Sequence, residues 1–404
     1  MRYSYRRGIS ILLCAAVFAV CAPSPRAAAE DAPRAREIIR WVDFNAPCEA
    51  MKKAVALDVA SHGEESFVRL NYIELLAYLA AKNGNDFRRY RDAQLDELAE
   101  KLRGGRTMDE LTEKLKYYPY YLEAYSAALS GLVGEYEIER SDETGTGRHW
   151  ERRYGVKAFS PIAKTFPYNH YDDFGTNRTY GFARPHLGND LLGQVGTPII
   201  AVEGGVVEAL GWNQYGGWRV GIRSHDARRY YYYAHLRRGF PYRKDLAVGS
   251  AVKAGDVIGY LGRTGYSQKE DVNNIKIAHL HFGLQLVFDE SQKECDSEIW
   301  INVYELVRLL DRYRSEVQKD PETKDYYRIY DIREIAEEEQ TMENKKISQP
   351  TGSETPNIVT ESEMTGLMPT APATLSEAES FAVLSNGVPA AVPGVGDGVK
   401  KPRK

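Results

Sequence analysis

The stretch Ile277-Ala-His-Leu-His-Phe-Gly-Leu-Gln-Leu-Val287 alternates in character along its length. His279, His281 and Gln285 fall in one series, and Leu280, Phe282, Leu284 and Leu286 fall in the other. Side chains on a β-strand point to opposite faces in turn, so a period of two predicts a strand with one polar and one apolar face. Two imidazoles then project side by side from a rigid floor. One is placed to bind a metal, and the other to hydrogen-bond a water held there.

Other histidines fall in short motifs around this segment. Upstream stands Arg-Pro-His186-Leu-Gly-Asn-Asp190, and between the two lies Tyr233-Ala-His235-Leu. Of eight histidines in 404 residues, four belong to these motifs. The spacing of His186 and Asp190 suits one face of a helix, but Pro185, Gly188 and Asn189 predict a turn or loop. A loop His and Asp alone is ordinary surface chemistry, and His-x-His alone fits a solvated strand face as well. Joined in one compact domain, His186, Asp190 and His281 make a candidate ligand set. Zinc takes imidazole nitrogen and carboxylate oxygen, and a catalytic site leaves the fourth position open. Calcium or magnesium would call for more oxygen.

An ordered series of motifs extends the pattern. After His186-x-x-x-Asp190 come Gly196-Thr-Pro-Ile-Ile-Ala201, Gly205-Val-Val, Tyr233-Ala-His235-Leu, Val252-Lys-Ala-Gly-Asp-Val-Ile-Gly259, Thr264-Gly265 and His279-Leu-His-Phe282. Over residues 180–288 the series resembles peptidase family M23, the lysostaphin-type cell-wall endopeptidases. The resemblance implies an antiparallel β fold with a groove and one zinc per chain. It makes His186, Asp190 and His281 the metal ligands and His235 and His279 the unliganded catalytic histidines. It also implies peptide-bond hydrolysis in peptidoglycan stems or cross-bridges. A non-enzymatic scaffold or hydrolase activator on the same fold is the rival reading; such relatives usually lack a ligand, and none is missing here. The chain departs from the family at the segment Tyr266–Lys276, which separates Thr-Gly from His-x-His, and at Gly283, where an acidic residue often stands. The insertion is expected to alter one groove wall.

The residues support the chemistry. Zinc brings the pKa of bound water to about 7 and polarises a carbonyl. A neutral imidazole can take the water proton and pass it to a leaving amine. His279 is placed for that role, and His235 for stabilising the oxyanion; the sequence leaves open which is the base. His62, His149, His170 and His225 carry ordinary readings: a helix end, connecting segments and a hairpin turn.

The expected fold class is α+β: a helical N-terminal domain, an antiparallel β-rich peptidase domain and a disordered C-terminal tail. Arg2, Arg6 and Arg7 precede the apolar run Ile9–Ala22 and the small residues Ala27-Ala-Ala29. This is the order of a secretory signal peptide over 1–29, too short for a comfortable membrane span. It predicts a secreted or cell-envelope protein, with an uncleaved anchor as the variant. Residues 30–140 are expected to be helical, on the stripe Val68, Tyr72, Leu75, Leu76, Leu79 and on a capping box, Thr107-Met-Asp-Glu110. Such a domain could dock on the peptidase, bind wall polymer or engage envelope proteins. The polar run Ser141–Gly147 is expected to be a linker opening the peptidase domain, 141–316. That domain is expected to end in a helix carrying Val303, Leu306, Val307, Leu310 and Tyr313. Residues 317–404 are assigned to a polar tail, dominated from about Gln340 by Ser, Thr, Pro, Glu and Gly. Cys48 and Cys295 lie beyond the leader and could pair, without forming a disulfide framework. The net charge of −4 argues against a nucleic-acid partner.

Overall fold

The computed structural model describes residues 38–335, apart from 64–67, 143, 146, 182 and 294–296. The expected leader, the residues beyond 335 and Cys295 lie outside the described residues. Cys48 is buried with a free thiol. No helix among the described residues is long and apolar enough to cross a membrane.

The described residues open with helices α1 (Cys48–His62), α2 (Tyr72–Asn83), α3 (Ala93–Arg103), α4 (Met108–Thr112) and α5 (Tyr118–Leu129). Asn71 starts α2 by accepting from the backbone of Ile73 and Glu74, and Gly84 ends it in the left-handed region at φ +61°. The capping box of Thr107 and Glu110 forms at the start of α4. Leu75, Leu76 and Leu79 of the expected stripe are fully buried, but Val68 precedes the cap and is 46% exposed.

Strands follow: β1 (Val133–Ser141), β2 (Arg148–Val156), β3 (Tyr168–His170), β4 (Asn177–Arg178), β5 (Arg184–Pro185), β6 (Asn189–Gly193), β7 (Pro198–Ile200), β8 (Gly205–Asn213), β9 (Gly217–Ser224), β10 (Arg229–Ala234), β11 (Ala251–Val252), β12 (Val257–Tyr260), β13 (His279–Leu286) and β14 (Ile299–Ile301). Helix α6 (Tyr304–Leu310) and strands β15 (Val317–Lys319), β16 (Tyr326–Arg328) and β17 (Ile332–Glu334) complete the described chain. The main sheet runs β11-β8-β9-β10-β13-β6-β3, with β14 also on β13. All its pairings are antiparallel. Leu280, Phe282, Leu284 and Leu286 are fully buried on one face of β13, as the alternation predicts. Val303, Leu306, Val307 and Leu310 at α6 are fully buried as well.

Three expectations about segmentation are corrected. Ser141–Gly147 is no interdomain linker: β1 pairs with β2 from Val133↔Val156 to Ser141↔Arg148, so this run closes a hairpin, with Asp142 N–H donating to Gly147 O at 3.0 Å. The boundary at 140/141 therefore cuts a hairpin, and β1 begins inside the stretch expected to be helical. The tail assigned to 317 onward starts with ordered strands, because Ile332 of β17 pairs with Ile138 of β1. Finally, the helices and the sheet share one hydrophobic core rather than two.

Polar contacts lock that shared core. Arg229, 1% exposed, donates to both Glu203 carboxylate oxygens at 2.7 and 3.0 Å, and to Asp226. The same guanidinium donates at 2.9 Å to the carbonyl of Ala127 near the end of α5. Tyr231 O–H adds a bond to Glu203 at 2.7 Å. Elsewhere the N-terminal N–H of Cys48 donates to Glu305 of α6 at 2.8 Å, and Tyr154 O–H donates to Asp58 of α1 at 2.8 Å.

Candidate metal centre and groove

The site is built from the polar face of β13 and the chain that crosses it. His281 pairs with Asp190 of β6 on one side and with Ala234 of β10 on the other. Asp190 is thus a strand residue, not the loop residue expected, because its partner strand lies far away in sequence. His186 follows β5, and Gly188 lets the turn between them cross His281: a Cβ there would sit 2.8 Å from the His281 ring and 2.6 Å from the carbonyl of Phe282.

One ligand atom each from His186, Asp190 and His281 lies within 4.8 Å of the other two. His186 Nε2 and His281 Nδ1 stand 2.7 Å apart, and Asp190 Oδ1 lies 3.0 Å from the first and 3.4 Å from the second. Asp190 Oδ1 is buried and lacks a hydrogen bond of proper geometry. Two imidazole nitrogens and a carboxylate oxygen converging on one point suit zinc, which binds each at about 2.0–2.2 Å. The donor set fits the group the sequence implies.

Supports around this triad were not legible in the sequence. His186 Nδ1 lies 3.1 Å from the carbonyl of Asp173. Donation there protonates Nδ1 and leaves Nε2 with a lone pair for a metal. Arg178 bridges the carboxylates, donating to Asp173 at 2.7 Å and to Asp190 Oδ2 at 2.9 Å. Asp173 Oδ1 accepts from the N–H of Asp190 at 3.1 Å. Burial opposes charge on His186, but Asp173 and Asp190 outweigh it and raise its pKa to about 9. Burial also opposes charge on Asp190, and the facing His186 and His281 imidazoles reverse that, holding the carboxyl well below the usual range. Burial pushes His281 down, against the pull of Asp190. A metal entering here therefore competes with a proton on His186.

His235 and His279 complete the ring of imidazoles. Their ring centroids are 4.8 Å apart, and His279 Nε2 lies 3.6 Å from Asp190 Oδ1. His235 Nδ1 faces the carbonyl of Thr264 at 2.9 Å, and His279 Nδ1 faces that of Ile277 at 2.8 Å. Each carbonyl fixes the proton on Nδ1 and frees Nε2 as an acceptor. His235 is no ordinary strand histidine: it follows β10 at φ +62°, a strained position for a side-chain-bearing residue. Burial, helped by the neighbouring His279, pushes its pKa well below the usual value. Gly265, at φ +119°, brings the Thr264 carbonyl into place; a Cβ would lie 2.6 Å from the Tyr215 carbonyl.

All five residues line one groove of about 780 Å³. Peptidase family M23 matches residues 184–294, which hold every one of them. Residues 184–294 form an M23 peptidase domain. Over 130 residues the chain is 38% identical to the L-Ala–D-Glu endopeptidase of Bacillus subtilis, spanning 32% of this chain and 38% of that protein. Over 98 residues it is 36% identical to lysostaphin of Staphylococcus simulans, spanning 24% of this chain and 17% of that one. The chain therefore spans well under half the length of either relative. The crystallised catalytic domain of Staphylococcus simulans lysostaphin is 32% identical, with a TM-score of 0.25, covering 31% of this chain and 85% of that one.

The segment 266–276 that the sequence set apart does form a wall of the M23 groove, through Tyr266, Ile275 and Lys276. Tyr266 stacks on Tyr180 at 4.9 Å between ring centroids, and Arg184 lies over Tyr215 at 4.5 Å. Asp271 pins the insertion, accepting from Trp218 Nε1 and from the N–H of Gly239, both at 2.8 Å. His170 lies away from this centre, on edge strand β3 against Tyr304 at 4.6 Å.

Proposed function

We propose that the protein is an exported zinc metallopeptidase that hydrolyses peptide bonds of peptidoglycan stems or cross-bridges. The observation that carries this reading is the convergence of the His186, Asp190 and His281 ligand atoms beside two histidines whose Nδ1 atoms each face a backbone carbonyl. Zinc, when bound, would supply Lewis acidity at the scissile carbonyl and a water acidic enough to ionise near neutrality. His186, Asp190 and His281 would hold it, with Asp173 and Arg178 orienting the first two.

His279 and His235 handle the protons. Each turns its Nδ1 to a backbone carbonyl, which leaves Nε2 to accept. Either can take a proton there and return it to the leaving amine. His235 can stabilise an oxyanion only once protonated at Nε2, and its burial opposes that charge. His279, beside Asp190 and less enclosed, is the better base. The bond specificities named for the relatives, L-Ala–D-Glu in one and a peptidoglycan DD bond in a Vibrio cholerae protein, give the stem bonds to examine.

Incubation with purified peptidoglycan, with the fragments identified by mass spectrometry, tests the reading. Release of peptides with new amino termini, abolished by a chelator and restored by zinc, is expected. A zinc-loaded, folded protein that releases none would instead support a scaffold.

A further inference from the structure

The groove extends beyond the histidines over the outer face of the main sheet. Tyr232 forms its floor, with ring centroids 5.7 Å from His281 and 6.1 Å from Trp300. Its hydroxyl accepts from Asn213 at 3.3 Å. Arg219, on β9, lines the same groove, and its guanidinium acts electrostatically on the Tyr232 hydroxyl.

Arg219 differs from the other charged residues of this end. Glu208 is engaged by Lys293, and Glu298 accepts from Trp300 Nε1 at 2.7 Å. Arg219 has no carboxylate partner among the described residues, and its Nε is buried without a hydrogen bond. A guanidinium that lines a groove without an internal carboxylate is available to pair with an acid entering that groove. Space for one exists. The cross-strand partner of Arg219 is Gly211, where an added Cβ would meet nothing within 4 Å.

We infer that Arg219 is a specificity residue that binds a carboxylate of the substrate peptide, one residue or more from the scissile bond, across Tyr232 from the histidine cluster. The ligand class is an acidic peptide, since a planar guanidinium pairs with a carboxylate through two parallel N–H···O bonds. This rests on the groove being the substrate groove of the proposed peptidase.

The test uses stem peptides isolated from peptidoglycan, either untreated or with their carboxylates converted to primary amides. Binding to the full-length zinc protein is followed by calorimetry in the cold, and cleavage separately at 25 °C. Wild type should bind the untreated peptides roughly 10- to 100-fold more tightly than the amidated ones, the range of a charge-assisted bond. Arg219→Gln should abolish that preference while melting like wild type, because no internal carboxylate loses its partner. Arg219→Lys should restore part of it. Equal affinity of wild type for both peptide forms overturns the inference, as does an undiminished preference in Arg219→Gln. A preference in binding without any cleavage would sink the peptidase reading, and with it the specificity role, and leave only the carboxylate contact of Arg219 standing. Cleavage of both forms with equal kcat/KM would do the reverse.

Discussion

Arg229 offers the sharpest test of how the helices and the sheet are joined. The side chain is 1% exposed and makes a two-pronged pair with Glu203, itself 6% exposed, while also holding the Ala127 carbonyl near the end of α5. Arg229→Met fills much the same volume but strands the Glu203 carboxylate in the core. Removing one partner of a buried pair costs about 3–5 kcal/mol, because the remaining charge is uncompensated. Replacing the whole network by apolar groups avoids that penalty, so Arg229→Met/Glu203→Met/Tyr231→Phe should lose about 2 kcal/mol or less. Tyr231 is included because its hydroxyl would otherwise lose its acceptor. Urea denaturation followed by tryptophan fluorescence measures both, and the m-value shows whether unfolding stays cooperative. A loss under about 1 kcal/mol in the single variant, or a triple variant no better than the single, would refute the reasoning.

The strand histidines should separate by metal content. His281→Ala is expected to lose zinc and activity together, whereas His279→Ala should keep most zinc and lose activity by roughly 100-fold or more; equal zinc loss in both would show the roles misassigned. His170 should make stability fall in mild acid. Burial pushes its pKa down to about 4, so the fold favours neutral imidazole. That contribution is present above the unfolded value of about 6.5 and is lost as pH falls from there toward 4. Between pH 8 and 5.5 the loss is about 1 kcal/mol, measurable by denaturation, and His170→Phe should flatten it; an unchanged slope would contradict the assignment. A fragment of residues 141–316 should be insoluble or unfolded by circular dichroism, since it lacks β1, β17 and the helices that share the core; a soluble, cooperatively melting fragment would show that the core divides.

What the sequence revealed, and what it hid, follows from the range of the interactions. β13 was legible because its two faces meet different media along one continuous segment, and the Thr107–Glu110 cap because both partners lie within one turn. Asp190 looks like a loop residue in the sequence because its strand partner, His281, is 91 positions away. Ser141–Gly147 resembles a linker because polar, glycine-bearing runs serve equally as linkers and as hairpin turns. Residues 317–335 looked like tail because β17 is stabilised by Ile138 rather than by its own pattern. The four site histidines and Asp190 are legible through motif order, while Arg178 and Asp173 are not, because only the folded chain brings them onto His186 and Asp190.

The most direct test of the central claim is a zinc titration of metal-free protein with peptidoglycan present, counting newly exposed amino groups. The account predicts no release without metal, a linear rise with added zinc and a plateau at about one zinc per chain. It also predicts that His281→Ala gives no such rise at stoichiometric zinc. Amino groups released at full rate by metal-free protein, or none at any zinc concentration from folded protein, would contradict it.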